Sequence, residues 1–581
     1  MPRRTARVKR GGAAIAAGGF GCVFRPALRC KAGSPDEAFY DPTDVSKLMA
    51  KRDAEEEIKE ISKVVPVLRL IPDAARYFMG VGAAGGFYAC EPAPLTAADK
   101  LRYDTCRPLI RRGFTAENIN TKLAALRTIN QTDGGLELNK AWGIANHAGT
   151  DSWAAAMLDS TTGFHAINAS LQRLLVHGVV PLNKLGVLHG DLKAANVLVA
   201  KGPAATRADS PYAADSIHRL LVQMTATDAA DPDMLSTRII DWGLAMYFKA
   251  PSGPMSSLPP GVPISLRQGK YTNFNMPVTA ILLDDAIRPI IRQLVLEFLP
   301  SGNVGLGRLM AMRNVANRVY LIHLRAVDGH GHDEYLAQIL RGLFYGVPLS
   351  PEDTGVDAEQ EASPQDIIID YLAAALDAYV DANGNFQQEE YFDKVFRHNC
   401  DVYGLLTCYL PLVETPGDVS VDETWSRNRL ANDVVRILAE YCYGPTYAAQ
   451  PIPVGRLVAD LGSLSQPATR RQHHRARPPP VLPRAQPAPA IAAAAPLAPA
   501  APPASGNRGR CPKGTRRDKA TGRCLPKRTS RRPRSSRAQG SAPRLPASSG
   551  PTSIALSPGR KCPKGYRRKK STGKCHRTRK N

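Results

Sequence analysis

Two short stretches carry polar side chains at spacings suited to chemistry, HGDLKAANVLV at 189–199 and IIDWGLA at 239–245. Each reads as a buried apolar strand with polar groups at one end. The first presents Asp191, Lys193 and Asn196, and the second presents Asp241 followed by a tryptophan and a glycine. A carboxylate placed beside a hydroxyl can take its proton. An ammonium two positions on can neutralise an anionic group in transit. Asn196 and Asp241 offer hard oxygen donors of the kind magnesium takes alongside substrate phosphates. A base, a fixed cation and two oxygen ligands are the equipment for moving a phosphoryl group between oxygens.

Such groups need elements to hold them. AIAAGGFGCVFR at 14–25 fits two short strands around a turn containing Gly18, Gly19 and Gly21, with Val23 on the return strand. Bare glycine backbone can fold over phosphates and offer N–H donors without a side chain in the way. VSKLM at 45–49 reads as a strand carrying Lys47. The following DAEEEIKEISKVVPVL places Ile58, Ile61, Val64, Val65 and Leu68 at helical spacing. That helix is expected to supply a carboxylate to Lys47, from Glu57 or from Glu60 one turn on. The stretches 76–82 and 87–92 read as a strand pair leading to a hinge, and 93–165 as a long, partly helical connection. An apolar helix over 167–187 delivers the chain to His189. The stretch 202–236 reads as a surface insertion, and Asp241 to Pro277 as a loop-like segment. Helical patterns follow at 284–299, 307–326, 333–345 and 366–381. A buried helix over 391–413 carries Asp401, and a last helix occupies 422–443.

Charge is segregated along the chain. The total is 76 Lys/Arg against 52 Asp/Glu, a formal +24. Residues 470–581 hold 30 of those bases and one acid, Asp518, and residues 1–10 hold five bases and no acid. The stretch 11–469 is mildly acidic, with 41 bases against 51 acids. A basic attachment of that size implies a polyanionic partner, nucleic acid or an acidic protein surface. No apolar run reaches the ~18–20 residues needed to cross a bilayer. Seven of the eleven cysteines lie in 1–469 without C-x-x-C pairs, the usage of reduced thiols in a reducing compartment.

Beyond Leu464 the composition changes. Residues 478–504 are Pro/Ala-rich, a semi-extended linker unable to form a core. Two copies of one unit follow, RCPKGTRRDKATGRC at 510–524 and KCPKGYRRKKSTGKC at 561–575. Cys511/Cys524 and Cys562/Cys575 are each thirteen positions apart, compatible with disulfide loops, free thiols or metal ligands. Tyr566 is the one aromatic in the repeats, so phosphate or acidic-surface binding is expected rather than base stacking.

Over 14–300 and 391–443 the chain resembles the eukaryotic-type Ser/Thr protein kinases. More narrowly it is similar to divergent kinases of nucleocytoplasmic large DNA viruses, on GGFGCVF, VSKLM, FNMPVTAILL and NCDVYGLLTCYLPL. The tail repeats look like the small basic adaptor domain that giant algal viruses fuse to kinases. The resemblance implies an α+β, bilobal protein-kinase-like fold. A basic arm (1–12) would precede a small β-rich N-lobe (13–92). A large helical C-lobe (93–464) would follow, with insertions near 93–165, 202–236 and 284–390. A linker (465–507), repeat 1 (508–528), a second linker (529–558) and repeat 2 (559–581) would complete a disordered basic tail.

It further implies ATP- and Mg²⁺-dependent phosphorylation of protein serine and threonine. Gly18, Gly19, Gly21, Val23, Lys47 and Glu57 would hold ATP. Asp191 would act as base, Lys193 would steady the γ-phosphate, Asn196 and Asp241 would bind magnesium, and Asp401 would brace the loop. A small-molecule phosphotransferase of the aminoglycoside or choline type, or a pseudokinase scaffold with a virion- or nucleic-acid-binding tail, are the alternatives. The host cytoplasm or the virion is the expected location, with the nucleus reachable through the tail and secretion not expected. Two departures stand out: Gly190 replaces the arginine that usually docks a phosphorylated loop, and Trp242 replaces the usual phenylalanine.

Overall fold

Alternation of small and apolar residues over 13–50 yields three strands, β1 (Ala13–Ala17), β2 (Gly21–Arg25) and β3 (Val45–Ala50). The computed structural model describes residues 13–33, 37–38, 40–41, 44–81, 86–142, 161–202, 225–248, 261–269, 273–299, 305–326, 331–345, 364–414 and 421–465, and short strands between 515 and 577. The N-terminal arm 1–12, most of the expected insertion at 202–236, residues 249–260 and the Pro/Ala-rich linker lie outside the described residues. The fold is mixed α+β.

With β4 (Tyr88–Cys90) and β5 (Leu126–Gln131), the first three strands form a five-stranded antiparallel sheet in the order β1-β2-β3-β5-β4. From the sequence this region is expected to end at residue 92. The sheet instead draws an inner strand from 126–131, inside the stretch read as a connection. Of the expected strand pair only β4 forms in this sheet. Residues 74–77 are a short helix, α2 (Ala74–Tyr77), and Phe78 makes an isolated bridge to Ile239. The reason is local: LRTINQ is too polar to read as a buried strand, yet Thr128 and Asn130 are fully buried and satisfied by hydrogen bonds with Cys90 and Ser46.

The long helix α1 (Lys51–Leu68) leaves β3 without a loop and buries Ala54, Ile61, Val64, Val65, Val67 and Leu68. Its first half packs through Ala54 and Ile58 on Met49 and Ile129 of the sheet. Its second half joins the large core of the helical region. The opposite sheet face is covered by residues 93–125, which include the helix α3 (Arg107–Arg111). There Leu95, Tyr103, Leu109 and Ile119 pack on Phe24, Leu48 and Leu126. Full burial of Phe24 and Leu48 contributes about 2–3 kcal/mol each.

After the sheet, β6 (Leu136–Glu137) leads into α4 (Leu138–Ala141). The helix Thr161–Arg173 continues through a π-helical stretch into Val180–Lys184, as the apolar run before His189 predicts. Next come β7 (Val187–Leu188), β8 (Val197–Lys201), β9 (Leu235–Ile239) and β10 (Met246–Tyr247). They form the sheets β6-β8-β9 and β10-β7. The helices Arg288–Phe298, Leu306–Ala326, Gly331–Tyr345, Pro364–Tyr379 and Val421–Tyr441 follow the sequence pattern closely. The expected helix at 391–413 runs as Gln388–Tyr391, a π-helical stretch and Arg397–Thr407.

Four cysteines read as reduced are instead paired, Cys22 with Cys106 and Cys30 with Cys90, at Cα separations of 5.5 and 5.6 Å. Partners 84 and 60 positions apart carry no local spacing signal. Cysteine usage therefore no longer argues for a reducing compartment. Cys400, Cys408 and Cys442 are free and buried. Among the described residues no helix is long and apolar enough to cross a membrane.

The chain divides into two units between residues 482 and 483. In the second, taken by itself, both repeats form the same short antiparallel pair. Thr515–Arg517 lies against Cys524–Pro526, and Tyr566–Arg568 against Cys575–Arg577. A third strand, Ser553–Ile554, adds to the second pair. The expectation is a disordered basic tail with two small Cys-bounded repeats, and these paired strands lie in or beside those repeats. Cys511 and Cys562 lie outside the described residues.

Candidate active site

The strand β3 presents Lys47 on the face toward α1, and one turn and a half into that helix Glu57 meets it. Lys47 Nζ donates to both Glu57 carboxylate oxygens at 2.8 Å. It also lies 3.5 Å from Asp241 Oδ1. Of the two acids named from sequence, Glu60 turns away to pair with Lys63 at 2.6 Å. Val23 stands directly opposite Lys47 in the β2–β3 register.

Lys47, Glu57 and Asp241 form one electrostatic unit. Burial disfavours the Lys47 charge, but the Asp241 and Glu57 carboxylates outweigh it and raise its pKa. Burial raises Glu57, the nearby Asp241 charge adds to it, and Lys47 opposes, leaving Glu57 above its ordinary value. Burial alone would raise Asp241 as well. The Lys47 charge, above all, and the Gly243 amide reverse that and hold it low. Asp241 has φ +67°, a left-handed conformation uncommon outside glycine and tolerated best by Asp and Asn. Backbone strain of this kind is concentrated at functional positions.

The loop after β7 brings the other expected residues together. Lys193 Nζ donates to both Asp191 oxygens at 2.9 Å. Asn196 Nδ2 donates to the Asp191 carbonyl at 2.7 Å and to Oδ2 at 2.9 Å, so neither of these bonds involves its Oδ1. Beneath the loop, buried Asp401 accepts from the His189 and Gly190 amides at 2.7 and 3.0 Å and from Asn183 Nδ2 at 2.7 Å. His189 bridges the two stretches. Its Nε2 faces the Ile240 carbonyl at 3.0 Å, its Nδ1 accepts from the Asp191 amide at 3.3 Å, and its ring meets Trp242 edge-on at 4.9 Å. The hydrogen bonds fix the tautomer as Nε2–H.

Two glycines are demanded by geometry. Gly190 has φ +73°, and a Cβ there would lie 2.8 Å from the Leu244 carbonyl oxygen and the Met246 methyl. Any side chain, an arginine included, would need both β10 and its approach to move. At Gly21 a Cβ would meet the Leu48 carbonyl oxygen at 2.5 Å. Gly18 and Gly19 differ, since a Cβ at either would meet nothing within 4 Å, and the turn is open above them.

One residue escaped sequence reading. Asn275, buried, donates from Nδ2 to Asp191 Oδ1 at 3.0 Å and to the Leu192 carbonyl at 3.1 Å. Its only signal was a polar residue between Phe274 and Met276 in an apolar run. The Asp191 carboxylate is thus oriented by Lys193, Asn196 and Asn275 together.

Among the described residues no group of three or more His, Cys, Asp or Glu could hold a metal by itself. Magnesium bound by one carboxylate, one amide oxygen and substrate phosphates makes no such group, and the oxygens of Asp241 and Asn196 suit it. No family model matches the chain, and no curated protein shows significant similarity to it.

Proposed function

We propose that the chain is an ATP- and Mg²⁺-dependent protein kinase acting on serine and threonine, with a bilobal kinase-like fold. The observation that carries this reading is the Lys47–Glu57–Asp241 cluster beside an Asp191 carboxylate oriented by Lys193, Asn196 and Asn275. A base must lie within hydrogen-bond reach of the hydroxyl proton it takes, and a carboxylate fixed by three donors is pre-organised for that. Lys47 would grip the nucleotide phosphates under the turn of Gly18, Gly19 and Gly21. Asp191 would orient and deprotonate the substrate hydroxyl, and Lys193 would neutralise charge on the phosphoryl group in flight. Asp241 and Asn196 would hold magnesium, which when bound neutralises the phosphate oxygens. Asp401 acts through the loop backbone and positions rather than reacts. The closed contact at Gly190 and the formed Lys47–Glu57 pair support activity without loop phosphorylation.

The tail, by this reading, is a tether to a polyanion, nucleic acid or an acidic virion protein. Two hairpins of equal register in a segment of 30 bases and one acid support it. One experiment tests both parts, incorporation of labelled γ-phosphate into casein, histone and myelin basic protein by the full chain and by a chain ending at Ser465. Phosphoserine and phosphothreonine from both chains, with salt-sensitive polyanion binding by the full chain alone, is the expected result. Phosphotyrosine alone, or transfer only to aminoglycosides or choline, rejects the protein-kinase assignment. Undiminished polyanion affinity in the short chain rejects the tether.

A further inference from the structure

The glycine turn and the start of α1 share a neighbour that the reaction itself does not require. Residues 93–125 form a small module on the sheet face away from α1, with its own apolar core against β2, β3 and β5. Arg112 is the C-terminal cap of α3. The guanidinium forms an ion pair with Asp53 in the first turn of α1. The same group lies 5.9 Å from the ring centroid of Phe20, at the tip of the glycine turn. Phe20 is 57% exposed and the turn makes one internal backbone bond, from Gly18 N to Gly21 O at 3.0 Å. Arg112 is therefore in contact with a turn whose upper side is open.

Asp53 lies four residues before Glu57, on the same face of α1. The far part of that helix is tied separately. Tyr247 donates its hydroxyl to the Glu60 carbonyl at 3.1 Å, and Lys63 lies over its ring at 5.8 Å. Glu57 sits between the two ties. The module is also linked covalently to β2, just after the turn, through Cys22 and Cys106.

We propose that Arg112 is a positioning residue for the nucleotide cleft, clamping the glycine turn through Phe20 and the Lys47–Glu57 pair through Asp53. The inference rests on the kinase reading for its kinetic consequence and on geometry alone for its structural one. A planar guanidinium suits the double task, stacking on an aromatic face while pairing with a carboxylate. Loosening it should weaken nucleotide capture more than the chemical step, since Asp191 and its partners are untouched.

The test compares wild type, Arg112→Ala, Arg112→Lys and Phe20→Ala by hydrogen exchange over 17–22 and 51–58, with KM for ATP and kcat measured in parallel. Arg112→Ala should speed exchange in both segments and raise KM by roughly 3–10-fold, with kcat changed less than about 2-fold. Arg112→Lys should restore the α1 segment more than the turn, because an ammonium keeps the ion pair but stacks poorly. Phe20→Ala should loosen 17–22 alone. Unchanged exchange at 17–22 in both alanine variants, or an equal rise across β3 and β5, overturns the clamp. If Arg112→Ala does not fold, Phe20→Ala decides through the turn, its ring being largely exposed. A wild type that transfers no phosphate sinks the kinase reading, and the exchange result still decides the clamp.

Discussion

The loop 189–196 and the turn 17–21 serve one cleft in the proposed reading, but they are held by opposite means. The loop is fixed from below, where Asp401 receives three donors out of solvent and the buried Asn275 and Asn196 donate to Asp191. The turn is fixed from outside, by a cation and an exposed ring. Buried hydrogen bonds to a charged group are strong and expensive to leave unmade, while surface contacts of this kind are individually weak. Damage to the loop should therefore appear in both stability and rate, and damage to the turn in nucleotide affinity. A rigid base beneath an adjustable phosphate cover is the division of labour this implies.

The largest effect should come from the groups that face the reacting atoms rather than from either support. In the proposed reading Asp241→Ala would remove a metal ligand, along with one partner of Lys47, and Lys47→Ala would remove the nucleotide anchor. Each should cost at least ~10²-fold in kcat/KM. Wild-type turnover by both variants in a contaminant-free preparation would mean that the cleft lies elsewhere.

Next in size is the support under the loop. Asp401→Ala strands the His189 and Gly190 amides and the Asn183 side chain, a loss of about 3 kcal/mol or more with a large fall in kcat. Asp401→Asn should be milder. Its oxygen can keep the His189 and Asn183 bonds now made to Oδ2, and only the Gly190 amide then faces another donor. Chemical denaturation with parallel kinetics checks the ranking. Equal stability of Asp401→Ala and wild type would show that the loop holds its shape without the aspartate, and the contrast with the turn would collapse.

How much was legible follows the same division. Asp191, Lys193, Asn196 and Asp241 were readable because strand-flanked polar residues at fixed spacing leave a linear trace, and Asp401 through the kinase resemblance, which places an aspartate of that helix under the loop. The Glu57 pairing was readable to within one turn, since helical period alone admits Glu60. The inner strand β5 was not, because its buried Thr128 and Asn130 mimic a polar connection. Arg112 and Phe20 left no trace either, being 92 positions apart and brought together only by the β4–β5 excursion. The cysteine pairs failed for the same reason. Long-range contacts between surface elements have no period to read.

The smallest expected effect is a shift in pH dependence, and it separates the two sides of the cleft. Glu57 belongs to the adjustable side, through α1, and its carboxyl is raised by burial and by Asp241, against the pull of Lys47. Asp241, despite its burial, is held below the ordinary value chiefly by Lys47. As pH falls, Glu57 therefore takes up a proton first, above the usual glutamate range, and Lys47 loses one of its two partners while Asp241 stays charged. The linkage signs are opposite. A carboxyl raised on folding contributes most to stability below its unfolded pKa, and that contribution fades as pH rises through the folded one. The depressed Asp241 contributes above its unfolded pKa and is lost only as pH falls through its lower folded value. Acid should thus cut activity before it unfolds the chain. Glu57→Gln should lower kcat/KM roughly 3–10-fold at neutral pH, consistent with losing one charged hydrogen bond, and should remove the limb that begins above the glutamate range. A pH–rate profile identical in shape for the two proteins would show that the limb does not belong to Glu57, and the Lys47–Glu57 pair would then be a structural tie without influence on the acid side.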